Sequence, residues 1–151
     1  MTDDLANDIE QLARTATGRD QFLLETARAI NRHCPHYTWV GFYFLKGSKL
    51  YVGPYIGKPT PHAVIELNRG ICGAAVSQGK TIVVDDVHAD PRYLACSLET
   101  RSEIVIPLRI GGRIVGELDI DSDRKAAFDD NDRRLLEQLA KKIARRLEEF
   151  R

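Results

Sequence analysis

Apolar positions recur at helical spacing near the start of the chain, through Leu5, Ile9, Leu12 and Ala13, until Gly18 interrupts them. A second run carries Leu23, Leu24, Ala27 and Ile30, with Asp20 as its expected N-cap and Pro35 as its stop. The pattern then changes character. Residues 37–45 are rich in aromatic and β-branched side chains, Lys46-Gly47-Ser48 reads as a turn, and residues 49–55 return, which predicts a hairpin. Short strands are expected at 63–67 and 81–84, with Gly70-Ile71-Cys72-Gly73-Ala74-Ala75-Val76 between them as a loop feeding a short helix. Residues 103–110 and 113–120 flank Gly111-Gly112, a two-residue turn that tolerates positive φ. Residues 85–101 form a long connection without periodicity, and such connections within compact domains are often functional.

The chain closes on a helix that Asp129 or Asp130 can cap, with Leu135, Leu136, Leu139, Ile143 and Leu147 on one stripe. Two helices, about six strands with a helical insert, and a final helix predict an α+β fold. The natural packing is one roughly six-stranded antiparallel sheet with the N- and C-terminal helices on one face. The C-terminal stripe either covers its own sheet or pairs with a second copy, which would make a homodimer through the terminal helices.

At 151 residues, with 43% hydrophobic side chains, the chain suits a single domain over 1–151 with a proper core. Lys+Arg and Asp+Glu are both 22, and this balance argues against a dedicated nucleic-acid partner. No apolar stretch is long enough to span a membrane, and the acidic N-terminus does not read as a signal peptide. The expected location is therefore cytoplasmic. Cys34, Cys72 and Cys96 are too few for a disulfide framework and are expected to be reduced thiols.

Two groups of residues suggest chemistry. Asp119 and Asp121 are two apart on one strand and share a face, and the Gly111-Gly112 turn brings Glu103 beside them. Three crowded carboxylates cannot all ionise easily, so at least one should stay protonated near neutral pH and serve as a proton donor. The alternative is a solvated strand end capping loop amides. Cys96 lies in the long connection and is either a reactive thiol or a small buried filler. Cys72 precedes a short helix whose N-terminus would favour its thiolate. The His33-Cys34-Pro35-His36 run is too tight for a tetrahedral zinc site, so no metal is expected, and no bound cofactor either. Trp39, Tyr43 and Tyr55 sit on strands, where core packing is their ordinary role.

The segments Arg101-Ser102-Glu103-Ile104-Val105-Ile106-Pro107-Leu108 and Gly116-Glu117-Leu118-Asp119-Ile120-Asp121-Ser122, followed by Ala127-Phe128, resemble a GAF domain over about residues 20–150. A narrower resemblance lies on top of it. Trp39-Val40-Gly41-Phe42-Tyr43, Gly53-Pro54-Tyr55-Ile56-Gly57-Lys58, Arg69-Gly70-Ile71-Cys72-Gly73, Asp86-Val87-His88 and Ala95-Cys96 are similar to the free methionine-(R)-sulfoxide reductases.

That resemblance implies Cys96 as nucleophile, and Glu103, Asp119 and Asp121 as the groups that recognise the sulfoxide and the amino acid. It implies Trp39 as the wall for the substrate methyl group, with Tyr43 and Tyr55 as further pocket candidates. Free methionine sulfoxide would be the substrate and a thioredoxin-like dithiol the reductant. Many members carry a third cysteine after the Gly-Lys pair, where this chain has Pro59-Thr60-Pro61-His62. Cys72 is then the family-matched thiol left to resolve an oxidised Cys96, unless an external thiol does so. The other class of function is a stand-alone GAF module that binds a small molecule or senses redox state without catalysis.

Overall fold

The computed structural model describes residues 3–94 and 98–150. Two helices, α1 (Asp3–Thr15) and α2 (Arg19–His33), open the chain. The strands are β1 (Tyr37–Lys46), β2 (Lys49–Ile56), β3 (Val64–Glu66), β4 (Ile82–Val84), β5 (Ser102–Ile110) and β6 (Arg113–Ser122). Helix α3 (Gly70–Gln78) lies between β3 and β4, and α4 (Asp130–Leu147) follows β6. The strands form one sheet in the order β3-β2-β1-β6-β5-β4, with every neighbouring pair antiparallel. The α+β reading, the sheet and both hairpins are as the sequence pattern leads one to expect.

Two sets of packed side chains, one on each face of the sheet, follow from strand alternation. Val40, Phe42, Ile104, Ile106, Leu108, Leu118 and Ile120 join the apolar stripes of α1, α2 and α4 in the main core. Trp39, Tyr43 and Val105 point the other way and pack with Ile71, Cys72, Ala75 and Val76 of α3. The stripe of α4 covers its own sheet: Leu136, Leu139, Ile143 and Leu147 are all buried within the chain. These four positions are taken up by the chain's own core, and Leu135 is half-buried.

Local details follow from side-chain chemistry. Helix α4 starts in a capping box, with Asp132 N donating to Asp129 Oδ1 at 2.9 Å and Asp129 N donating to Asp132 Oδ2 at 3.0 Å. Helix α2 departs from expectation. Its cap is Gly18, and Asp20 sits in the first turn. Gln21 is the reason: its Oε1 accepts from Thr17 N at 2.6 Å and closes the chain two residues earlier. At the β5–β6 turn Gly111 and Gly112 both take positive φ, 59° and 78°. Pro107 is tolerated in β5 because β4 pairs only as far as Val105, so Pro107 donates to no ladder there. Among the described residues no helix is long and apolar enough to cross a membrane.

Candidate active site

A register shift in β1 between Tyr37 and Trp39 decides which aromatic faces the site. Without it both would point to the same side, since they are two apart. The bulge turns Tyr37 into the main core, where its ring lies 5.0 Å from that of Phe128. It leaves Trp39 on the opposite face with Gly41 and Tyr43.

Trp39 is then held from several sides. Its Nε1 donates to Lys58 O at 3.1 Å, and its ring stacks on Tyr55 at a centroid distance of 5.0 Å and an angle of 23°. The ring lies over Gly41, where a Cβ would come within 2.6 Å of it. Beside it opens a cavity of about 190 Å³ lined by Thr38, Trp39, Lys58, Glu99, Thr100, Asp121 and Asp123. Lys58 and Glu99 form an ion pair at this cavity.

The carboxylates gather as the alternation predicts. Glu103 on β5 lies directly across from Asp121 on β6, and Val105 across from Asp119. They are not a solvated strand end: Glu103, Asp119 and Asp121 are 6%, 4% and 3% exposed. Helix α3 covers them and brings Cys72, whose Sγ donates to Asp119 Oδ2 at 3.3 Å.

Burial raises the pKa of Glu103 well above the usual carboxylate range, and the charges of Asp119 and Asp121 add to it. Burial also raises Asp121, with Asp119 adding to the shift. Asp119 rises less, because hydrogen bonds from Glu103 and Cys72 offset its burial. The arrangement favours the neutral form of these carboxyls, the form that can donate a proton.

Cys72 differs from expectation. The N-terminus of α3 does not win: burial, followed by the charges of Asp119, Glu117 and Glu103, pushes the thiol well above its ordinary value. A short helix offers a partial charge, whereas three carboxylates in a dry setting offer far more of the opposite sign.

The residues singled out in the sequence separate into groups. Trp39 and Asp121 line the cavity. Glu103, Asp119 and Cys72 form the buried cluster next to Asp121. Tyr55 supports the Trp39 ring, and Tyr43 is buried with its hydroxyl donating to His62 O at 2.9 Å. Cys96 lies outside the described residues. Cys34 is buried in the main core, away from this cluster.

Sequence reasoning missed Glu117. It is wholly buried on the same face of β6 as Asp119, and among the described residues neither of its carboxylate oxygens makes a well-formed hydrogen bond, although the Cys72 thiol lies close enough to act on it. The strict alternation Glu117-Asp119-Asp121 was a readable signal for it. Thr38, Lys58, Glu99, Thr100 and Asp123 of the cavity wall carry no such signal.

Residues 8–147 match the family model described as the GAF domain. The free methionine-R-sulfoxide reductase of Escherichia coli is 34% identical over 140 residues, covering 93% of this chain and 84% of that protein. A crystal structure of free methionine-R-sulfoxide reductase from Neisseria meningitidis, in complex with its substrate, is 36% identical. It superposes with a TM-score of 0.89 over 98% of this chain and 92% of that one. The type II free methionine-R-sulfoxide reductase of Thermoplasma acidophilum is 38% identical, with a TM-score of 0.82 over 95% and 97% of the two chains. The chain belongs to the GAF domain family, and within it to the free methionine-R-sulfoxide reductases.

Proposed function

We propose that this protein reduces free L-methionine (R)-sulfoxide to methionine. The observation that carries the reading is the buried set Glu103, Asp119 and Asp121 set against a Trp39-walled cavity, in a chain so similar to enzymes of that name. The Cys96 thiolate attacks the sulfoxide sulfur. A neutral carboxyl of the set donates a proton to the sulfoxide oxygen as the sulfur–oxygen bond weakens. Oxygen passes to Cys96 as a sulfenic acid, and the thioether leaves as methionine. A second thiol, Cys72 or an external one, condenses with the sulfenic acid to a disulfide and releases water. A thioredoxin-like dithiol then reduces that disulfide.

The binding roles follow from charge and shape. An ionised aspartate of the set suits the substrate ammonium. The Trp39 face suits the polarised S–CH₃ group. Cytoplasmic location fits the dependence on reduced thiols.

The test is a thioredoxin-coupled assay with the separate R and S epimers, run beside Cys96→Ser. Turnover of the R epimer alone, lost in Cys96→Ser, is the expected result. No turnover by folded, reduced protein, or equal turnover in Cys96→Ser, would overturn the reading. Peptide mass mapping after one turnover without reductant distinguishes a Cys72–Cys96 bridge from resolution by an external thiol.

A further inference from the structure

The cluster beneath α3 is short of positive charge. Glu103, Glu117, Asp119, Asp121 and the Cys72 thiol are all buried; burial acts most on each, and the described charged or polar groups that act on them after it are one another. Cys72, Glu103 and Asp119 each present one ligand atom, and these atoms lie within 4.8 Å of one another. Glu117 supplies an independent sign. It is fully buried, among the described residues neither of its oxygens has a well-formed hydrogen bond, and it faces the Cys72 thiol and Asp119 closely enough to act on both. Asp119 Oδ1 and Asp121 Oδ1 are also buried without partners. Buried polar atoms without partners are rare and call for an explanation such as an ion.

The donor set selects the ion. A thiol beside carboxylates suits a thiophilic cation of the zinc class, because calcium and magnesium take oxygen ligands at higher coordination number. The Cys72–Asp119 spacing fits as well. Zinc–sulfur and zinc–oxygen bonds of about 2.3 and 2.0 Å would span the Cys72 Sγ to Asp119 Oδ2 separation of 3.3 Å at an angle of about 100°, near tetrahedral.

We propose that the reduced protein takes up one thiophilic divalent cation at Cys72, Glu103 and Asp119, and that this cation reversibly blocks the site. The Cys72 thiol gives its proton to solvent as its sulfur bonds the cation, with no change of oxidation state. The bound cation withholds Cys72 from disulfide formation and Asp119 from the substrate.

Cation uptake is read without turnover, so it stands or falls apart from the reductase reading. Protein reduced with a phosphine is titrated with Cd²⁺, following the ultraviolet thiolate-to-cadmium charge-transfer band, and Zn²⁺ is then added as competitor. One equivalent of Cd²⁺, displaced by Zn²⁺, is expected. Cys72→Ser should lose the band, and Cys34→Ser should keep it. Asp119→Asn should bind at least about tenfold more weakly, with circular dichroism confirming that each variant folds. No band in the wild type, a band kept in Cys72→Ser or lost in Cys34→Ser, or unchanged affinity in Asp119→Asn would overturn the assignment.

Discussion

Gly41→Ala is the substitution that most directly couples the fold to the candidate site. A Cβ at position 41 would lie 2.4 Å from Tyr55 Cβ and 2.6 and 2.8 Å from two carbons of the Trp39 ring. Carbon atoms in contact prefer about 3.5–4.0 Å, so something must move by roughly an ångström. The backbone has little room to give, because Gly41 is paired to Tyr55 on β2 and to Asp119 on β6. The Trp39 ring is itself anchored by its hydrogen bond to Lys58 O. Overpacking of this kind costs about 1–3 kcal/mol, and loss of the Trp39–Tyr55 stack adds about 0.5–1.5 kcal/mol. A loss of about 2–4 kcal/mol lowers Tm by roughly 4–16 °C in a domain of this size.

Urea unfolding and thermal melts measure that loss, and substrate titration should show a raised KM because the cavity wall has shifted. A double variant tests the cause. Trp39→Phe removes the two ring carbons that meet the new methyl and leaves only the Tyr55 Cβ contact, so Gly41→Ala should cost less in its background, giving a coupling of about 1 kcal/mol. A change below about 0.5 kcal/mol, with KM intact, would refute the close approach of ring and backbone on which the cavity depends.

Three further outcomes follow from the same geometry. Burial, followed by the charge of Asp119, raises the Glu117 pKa well above the carboxylate range, so the folded protein holds a proton that the unfolded chain releases near pH 4. Stability from this group is full below the unfolded pKa and falls as pH rises towards the folded one, by at most about 1.4 kcal/mol per pH unit. Glu117→Gln should flatten that fall, which urea midpoints in metal-free buffer between pH 5 and 8 will show. Asp119→Asn removes a charge that raises Cys72, so the thiol should titrate at lower pH by its thiolate absorbance, while R-sulfoxide turnover drops roughly 10²–10⁴-fold. Asp129→Ala breaks the capping box of α4 and should lower stability by about 1 kcal/mol in chemical denaturation, with KM for the sulfoxide unchanged.

Much of the site was legible because strands alternate with a period of two. That rule put Asp119 and Asp121 on one face, and the Gly111-Gly112 turn put Glu103 across from Asp121. The same rule extended one step back reaches Glu117. It fails at Tyr37 and Trp39, where a bulge reverses the alternation, and no residue type in that stretch announces it.

The chain order by itself determined the α+β class, the two hairpins and the helix boundaries at Pro35 and Asp129. These rest on local rules: periodicity, turn residues and caps act within a few residues of one another. Motif resemblance pointed to Cys96, Cys72, Trp39 and the carboxylates as candidates, of which Cys96 lies outside the described residues. Only the tertiary structure decided that the carboxylates are buried rather than solvated, because α3, some thirty to fifty residues earlier in the chain, closes over them. It also reversed the expected shift of the Cys72 thiol. A helix terminus is visible in a sequence, but the dielectric around a sulfur and the three acids brought against it depend on how distant segments pack.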